Sequence, residues 1–244
     1  MSKIRLYLDL KIINIGDIIK ITDKDFNYLI KVMRQKINDT ILIFNGIDGE
    51  FLVKICKIAK KDLQILIIEK IADLEILPKI TLAFAPVKNV RIDFVAAKAC
   101  EMGVVNFWPI ITQRTIVDKI NNERFLANIK EACEQCGRND VPNLQKITKL
   151  GDFFKDKNLD DKILILCDES GNAKKASEVL SKLGLKNKEI VILIGPEGGF
   201  SQDEFKMMYE IKNLYAISLG KRILRTDTAI ISALALVNEF VANA

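Results

Sequence analysis

The sequence predicts an α/β protein built in two parts: a small N-terminal β-barrel carrying one helix, then a larger domain around a mostly parallel sheet. Three observations predict this. Short, β-branched, partly alternating runs fill residues 1–75. "EILPKI" (Glu75 to Ile80) then breaks the pattern at Pro78. Beyond it, strands alternate with helices, as in a parallel sheet covered on both faces. The expected domains are therefore 1–75 and 76–244.

In the first part, "IRLYLDL", "DIIKIT", "TILIFNG", "GEFLVKICKIA" and "LQILIIEKI" read as strands. "NGIDGE" (Asn45 to Glu50) supplies hairpin turn residues. One helix interrupts them, "DKDFNYLIKVMR", with Phe26, Leu29, Ile30 and Met33 at helical spacing and Asp23 or Asp25 as its cap. In the second part, "KITLAFAP" is a buried-type strand, "NVRIDFVAAKACEMG" a helix ending at Gly103, and "VVNFWPI" a strand, which together make a βαβ unit. The helix "NERFLANIKEACEQCGR" follows. Strands "KILILC" and "EIVILI" flank an expected helix "NAKKASEVLSKLG". A helix over 202–212, the strand "LYAISL" and the helix "TDTAIISALALVNEFVANA" complete the chain; the last is apolar almost all round and so buried on more than one side.

Composition narrows the chemistry. The 244 residues are 49% hydrophobic and 28% charged, a globular balance. The net charge of +5 is uneven: residues 1–78 carry 13 Lys+Arg against 11 Asp+Glu, 79–150 carry 11 against 7, and 151–244 carry 13 against 14. The basic excess in the first two-thirds suits an anionic partner such as RNA, or simply a solvated surface. There is no histidine, which removes Ser-His-Asp and Cys-His catalysis and histidine metal ligands. No apolar run approaches about 18 residues, and no signal-like segment opens the chain, so a cytoplasmic protein that meets no membrane is expected. Five cysteines, an odd number, read as reduced thiols. Cys133-x-x-Cys136 lies inside a helix with no second pair, so core packing is expected there and no metal.

Two loops carry the functional signal, each beyond the carboxyl end of an expected strand, where open α/β sheets bind ligands. In "VILIGPEGGFSQDE" the strand runs into Gly195-Pro196-Glu197-Gly198-Gly199, and Ser201 with Glu204 forms a capping box for the next helix. The loop lacks the Lys-Ser/Thr of a P-loop and the spacing of a dinucleotide site. Its acidic residues disfavour polyphosphate and tolerate a cationic ligand such as S-adenosylmethionine; a plain strand-to-helix turn is the other reading. In "LGKRILRTDTA", Gly220 is followed by Lys221, Arg222 and Arg225 interleaved with Ile223 and Leu224, so an inward-packed loop is expected, with Thr226 or Asp227 capping the last helix. Positive charge at a helix N-terminus opposes the helix dipole, which favours a functional reason for the arginines. Asp168-Glu169 ends another strand and either lines the same pocket or forms a solvated turn. Phe107-Trp108 reads as strand-end core.

"LIGPEGGFSQDE" and "LGKRILRTDTA" resemble the signature of the RsmE family, bacterial methyltransferases of small-subunit ribosomal RNA of the SPOUT class. "KVMRQKINDTILIFNG", "KACEMGVVNFWPIITQRTIV" and "EACEQCGRNDVP" resemble its earlier blocks in the same order, so the resemblance covers nearly the whole chain. The chain departs from the family where "FNYL" replaces a frequent histidine pair, where Asp227-Thr228-Ala229 replaces Glu-Thr-Ala, and in "ACEMGV".

The resemblance implies an N-terminal PUA-like RNA-binding barrel, a C-terminal SPOUT domain with a deep trefoil knot, and a homodimer. The implied reaction is transfer from S-adenosylmethionine to N3 of a uridine in 16S rRNA of the small ribosomal subunit. Expected cofactor contacts are Ile194, Gly195, Pro196, Glu197, Gly198, Gly199, Leu219, Gly220, Ile223 and Leu224. Arg225 is expected to stabilise charge on the uracil oxygens, and Glu197 to take the N3 proton or hold the loop. Arg5, Arg34, Arg91, Arg114, Arg138 and Arg222 are the candidate RNA contacts, each equally readable as a surface ion pair. Another SPOUT reaction, on a ribose 2′-hydroxyl or on tRNA, and a non-catalytic PUA-like RNA-binding protein remain as alternatives.

Overall fold

The computed structural model describes residues 4–88 and 90–242. The chain divides into two compact units, Met1–Ile76 with Cys133–Val141 and Leu77–Ala132 with Pro142–Ala244.

The first unit contains β1 (Arg5–Tyr7), β2 (Ile18–Thr22), α1 (Asp23–Asn27), β3 (Thr40–Phe44), β4 (Glu50–Ile58) and β5 (Asp62–Ala72). They form one curled sheet in the order β1-β3-β4-β5-β2, antiparallel except where β1 runs parallel to β3. Strand alternation does the sorting. Phe51, Val53 and Ile55 of β4 and Leu63, Ile65 and Ile67 of β5 point inward and are buried. The expected helix is α-helical only as far as Asn27 and widens to a π-helical turn over Tyr28–Val32; Phe26 and Leu29 still reach the core.

The second unit contains β6 (Ile80–Phe84), α2 (Val90–Glu101), β7 (Val104–Ile111), α3 (Asn122–Cys136, whose end from Cys133 is grouped with the first unit), β8 (Asn143–Leu144), β9 (Thr148–Lys149), α4 (Leu150–Phe153), β10 (Ile163–Cys167), β11 (Lys174–Lys175), α5 (Ala176–Leu180), β12 (Ile190–Ile194), α6 (Gln202–Tyr209), β13 (Leu214–Ser218) and α7 (Thr226–Ala242). The strand order is β11-β13-β10-β12-β6-β7-β8, with β9 also on β7, and every pairing is parallel. All five residues of β6 and of β12 are buried, as strands covered on both faces require. Phe84 stacks on Phe125 at 6.1 Å between ring centroids, and Phe107 meets both edge-on at 6.4 and 5.2 Å. Phe153, Leu166, Leu193, Phe200 and Met208 belong to a second core cluster. Trp108 packs on Phe153 and donates its Nε1–H to Thr148, so the Phe107-Trp108 pair is structural.

The expected helix over 172–184 is the largest local difference. Lys174 and Lys175 pair with Ile217 and Ser218 as an edge strand, and the helix shrinks to Ala176–Leu180. Two lysines on a short edge also discourage pairing with a foreign strand.

Candidate active site

Because β10, β12 and β13 are parallel neighbours, their carboxyl ends lie along one edge of the sheet. The chain leaves that edge through Asp168-Glu169, Gly195–Phe200 and Leu219–Arg225. These three segments and the start of α7 line one cavity of about 530 Å³, counting the part open to solvent. Thr226 donates its hydroxyl to the Gly195 carbonyl (3.2 Å), tying the start of α7 to the glycine loop.

The loop is built closely. Gly199 has φ +66°, a left-handed conformation, and a β-carbon there would stand 2.2 Å from Glu169 Oε1. That oxygen instead accepts the Phe200 N–H at 3.0 Å. A β-carbon at Gly195 would press on the Phe200 ring at 2.9 Å. The expected capping box is complete: Glu204 N–H donates to Ser201 Oγ (3.2 Å), and Ser201 N–H to Glu204 Oε2 (2.8 Å). Glu204 Oε1 also accepts the Gln113 N–H at 2.7 Å. The segment after β7 thus braces the loop twice, since Arg114 Nη1 donates to the Gly198 carbonyl at 2.9 Å.

Three carboxylates line the cavity, in three different states. Asp168 is buried and fully engaged, accepting the Ser170 N–H (2.6 Å) and the Tyr209 hydroxyl (2.5 Å). Desolvation, then that bond to Asp168, push the Tyr209 phenol well above its ordinary pKa. Glu197 pairs with Arg91 at 2.9 Å. Glu169 is open to solvent on its cavity side, yet surrounding protein desolvates its carboxylate and raises its pKa; its own and the Phe200 N–H groups pull the other way. The Cys167 thiol is buried and pushed far up by desolvation and by Glu169, so it is no nucleophile.

Of the expected cofactor residues, Ile194, Gly195, Pro196, Glu197, Gly199, Leu219, Gly220, Ile223 and Leu224 line the cavity, and Gly198 stands behind it against Arg114. Arg222 lines the cavity as well. Arg225 is exposed at the start of α7, beside the lining residues Leu224 and Thr226. The expected inward packing of the second loop is corrected at Ile223, which is 80% exposed: it forms an apolar rim of the cavity and not a core contact.

Two expected RNA contacts are corrected too. Arg5 is turned into the first unit, bonding Glu50 (2.6 Å) and the carbonyls of Cys133 (2.6 Å) and Arg138 (3.1 Å), with its guanidinium 4.8 Å from the Phe44 ring centroid. Arg138 is 5% exposed and bidentate to Asp140. Each carries a charge that the fold itself consumes. Arg34 is exposed, and Arg91 and Arg114 hold the glycine loop. Among the described residues no group of three or more metal-ligating side chains comes together; Cys133 is buried and Cys136 exposed.

A family model for an RNA methyltransferase domain matches residues 75–238, and one for an RNA methyltransferase PUA domain matches 21–68. Ribosomal RNA small subunit methyltransferase E of Rickettsia conorii is 32% identical over 234 residues, spanning 96% of this chain and 94% of the relative. The chain belongs to the RsmE family. Two solved structures resemble it over 98% of both chains with a TM-score of 0.86. One is a Legionella pneumophila protein in complex with bound S-adenosylmethionine, at 30% identity; the other is an RsmE from Neisseria gonorrhoeae bound to the same molecule, at 28%. The curled first sheet is thus the PUA part of an RsmE protein, and the parallel sheet is its RNA methyltransferase part.

The cavity fits the molecule seen in those RsmE-like structures. Its glycines admit close backbone approach, its apolar walls suit an adenine, and its carboxylates suit a cation. Sequence patterns mark two of its three loops. Cys167 carries no motif, and the brace from Arg91 to Glu197 joins residues too distant in sequence to be read as a pair.

Proposed function

We propose that the protein transfers a methyl group from S-adenosylmethionine to N3 of a uridine in the 16S rRNA of the small ribosomal subunit, working as a homodimer in the cytoplasm. The observation that supports this most directly is the convergence of the two family loops on one cavity at the carboxyl edge of the parallel sheet. The knot is part of the same proposal, with the start of α7 bonded to the loop through which the chain would thread. The boundary near residue 75 is proposed as the passage from RNA-gripping to catalytic fold.

Bound here, S-adenosylmethionine supplies an electrophilic methyl on a sulfonium. This chain's own residues do the rest. Ile194, Gly195, Pro196, Gly199, Leu219, Gly220, Ile223 and Leu224 hold the carrier, largely through backbone, with Glu197 anchored by Arg91 and Gly198 by Arg114. Uracil N3 is a poor nucleophile while it keeps its proton. Arg225, exposed and beside the cavity, stabilises the negative charge that appears on the uracil oxygens as the N3 proton passes to solvent water. Glu197 is the loop holder in this scheme, because Arg91 already occupies its carboxylate. Arg34, Arg91, Arg114 and Arg222 are the proposed phosphate contacts.

Incubating the protein with labelled S-adenosylmethionine and small ribosomal subunits, then analysing nucleosides, tests the reading. 3-Methyluridine is expected in 16S rRNA. Label on a ribose, on tRNA, or on no RNA refutes it. Sedimentation of the protein should give twice its 27.6 kDa mass.

A further inference from the structure

Three carboxylates reach the cavity, and one of them, Glu169, is held by backbone N–H groups alone among the described residues. Asp168 has both oxygens bonded, to Ser170 N–H and the Tyr209 hydroxyl. Glu197 is paired through one oxygen with Arg91. Glu169 has a backbone hydrogen bond from Phe200 and forms no ion pair among the described residues. Its carboxylate lies against Gly199, on the cavity side of the loop, where a β-carbon would otherwise sit.

Resting on the cofactor reading above, we infer that Glu169 is the specificity-determining anion of the pocket, the residue that makes the site prefer the positively charged methyl donor to its uncharged product. S-Adenosylmethionine carries a sulfonium, an ammonium and a carboxylate, so its net charge is one unit more positive than that of S-adenosylhomocysteine. A carboxylate in a partly desolvated pocket distinguishes ligands by that unit, because Coulomb energy grows as the effective dielectric falls. The groups facing Glu169 are consistent with this. Asp168 adds like charge beside it. Arg114 is the nearby cation, and it is bonded to the Gly198 carbonyl. Arg222 lies on the exposed rim. Burial already raises the Glu169 pKa, and a cation bound nearby lowers it again. Donor binding therefore displaces a proton wherever Glu169 is partly protonated, and binding of the net-neutral product displaces less.

Calorimetric titration of the wild-type protein and Glu169→Gln with S-adenosylmethionine, S-adenosylhomocysteine and 5′-methylthioadenosine tests the assignment. Glutamine keeps an oxygen to accept the Phe200 N–H and drops the charge. Donor affinity is expected to fall about tenfold in the variant, the scale of one screened charge interaction. Affinity for the other two should change less than twofold. An equal loss for donor and product overturns the proposal and makes Glu169 a brace of the loop. Should Glu169→Gln fail to fold, the wild-type protein gives the answer alone. The ratio of donor to product affinity must fall as pH drops from 7 through the raised Glu169 pKa, and a constant ratio overturns the proposal. If the wild-type protein binds none of the three, the cofactor reading fails first, and the inference with it.

Discussion

Glu169 and Gly199 are one feature seen from two sides: the carboxylate occupies the space a side chain at 199 would need. Gly199→Ala should therefore lose cofactor affinity by about tenfold or more, and thermal stability as well. The loss should be smaller in a Glu169→Ala background, where only the positive φ remains to be strained. Calorimetry on the two single variants and the double variant reads the coupling. Glu169 also bears on stability without ligand. Its pKa is raised in the folded chain, so its contribution favours folding fully below the unfolded glutamate value, about 4.3, and is lost as pH rises through the folded value. Glu169→Gln should match or exceed wild type in ligand-free melting temperature at pH 8, and the gap should close at pH 4. Arg5 gives the opposite lesson. Its charge suggested RNA, yet its partners are a carboxylate and backbone carbonyls inside the first unit. Arg5→Ala should destabilise the protein by about 3 kcal/mol in chemical denaturation, because Glu50 is left unpaired. The salt dependence of RNA binding should stay unchanged. Nothing in a single sequence separates an arginine that meets phosphate from one that meets carbonyls over a hundred residues away.

At the scale of elements, the helices and strands that were legible are those with a sustained period or strong punctuation. The capping box at Ser201 and Glu204 was readable because its four-residue spacing is local, and both of its bonds are present. Ser201→Ala should cost about 1 kcal/mol; Glu204→Ala should cost more, since it also frees the Gln113 N–H. Differential scanning calorimetry will rank them. Legibility fails for β8, β9 and β11, each two residues long, where no period can be counted and pairing is set by neighbours. It fails at 28–32 for another reason, since the apolar spacing of a helix does not reveal a widened turn. Arg114, placed past a strand end by its sequence context, also proves to brace the glycine loop. Arg114→Ala should therefore weaken both RNA binding, with a flatter salt slope, and cofactor binding. Loss of RNA binding alone would show that the bond to Gly198 carries no weight.

For the whole molecule, the alternation of strands and helices was enough to anticipate a parallel sheet with its ligand edge at the carboxyl ends of the strands, and both glycine loops arrive there. The sequence does not disclose that Cys133–Val141 returns to complete the first unit, because that grouping depends on tertiary bonds such as Asn139 Nδ2 to the Asp73 carbonyl (2.8 Å) and Glu75 N–H to Asn139 Oδ1 (2.8 Å). A fragment of residues 1–76 lacks those bonds and the carbonyl partners of Arg5, so it should show a lower, broader unfolding transition than the first unit does in the full chain, measured by circular dichroism.

The same placement of residues sets a schedule. Every residue that lines the cavity comes from Cys167 onward, and the last of them is Ala229. During synthesis, N-terminal parts of a chain emerge and fold first. A copy that has emerged through Val141 can thus complete its first sheet well before the cavity exists, so on the reading proposed above a nascent copy stays chemically silent until translation is nearly done.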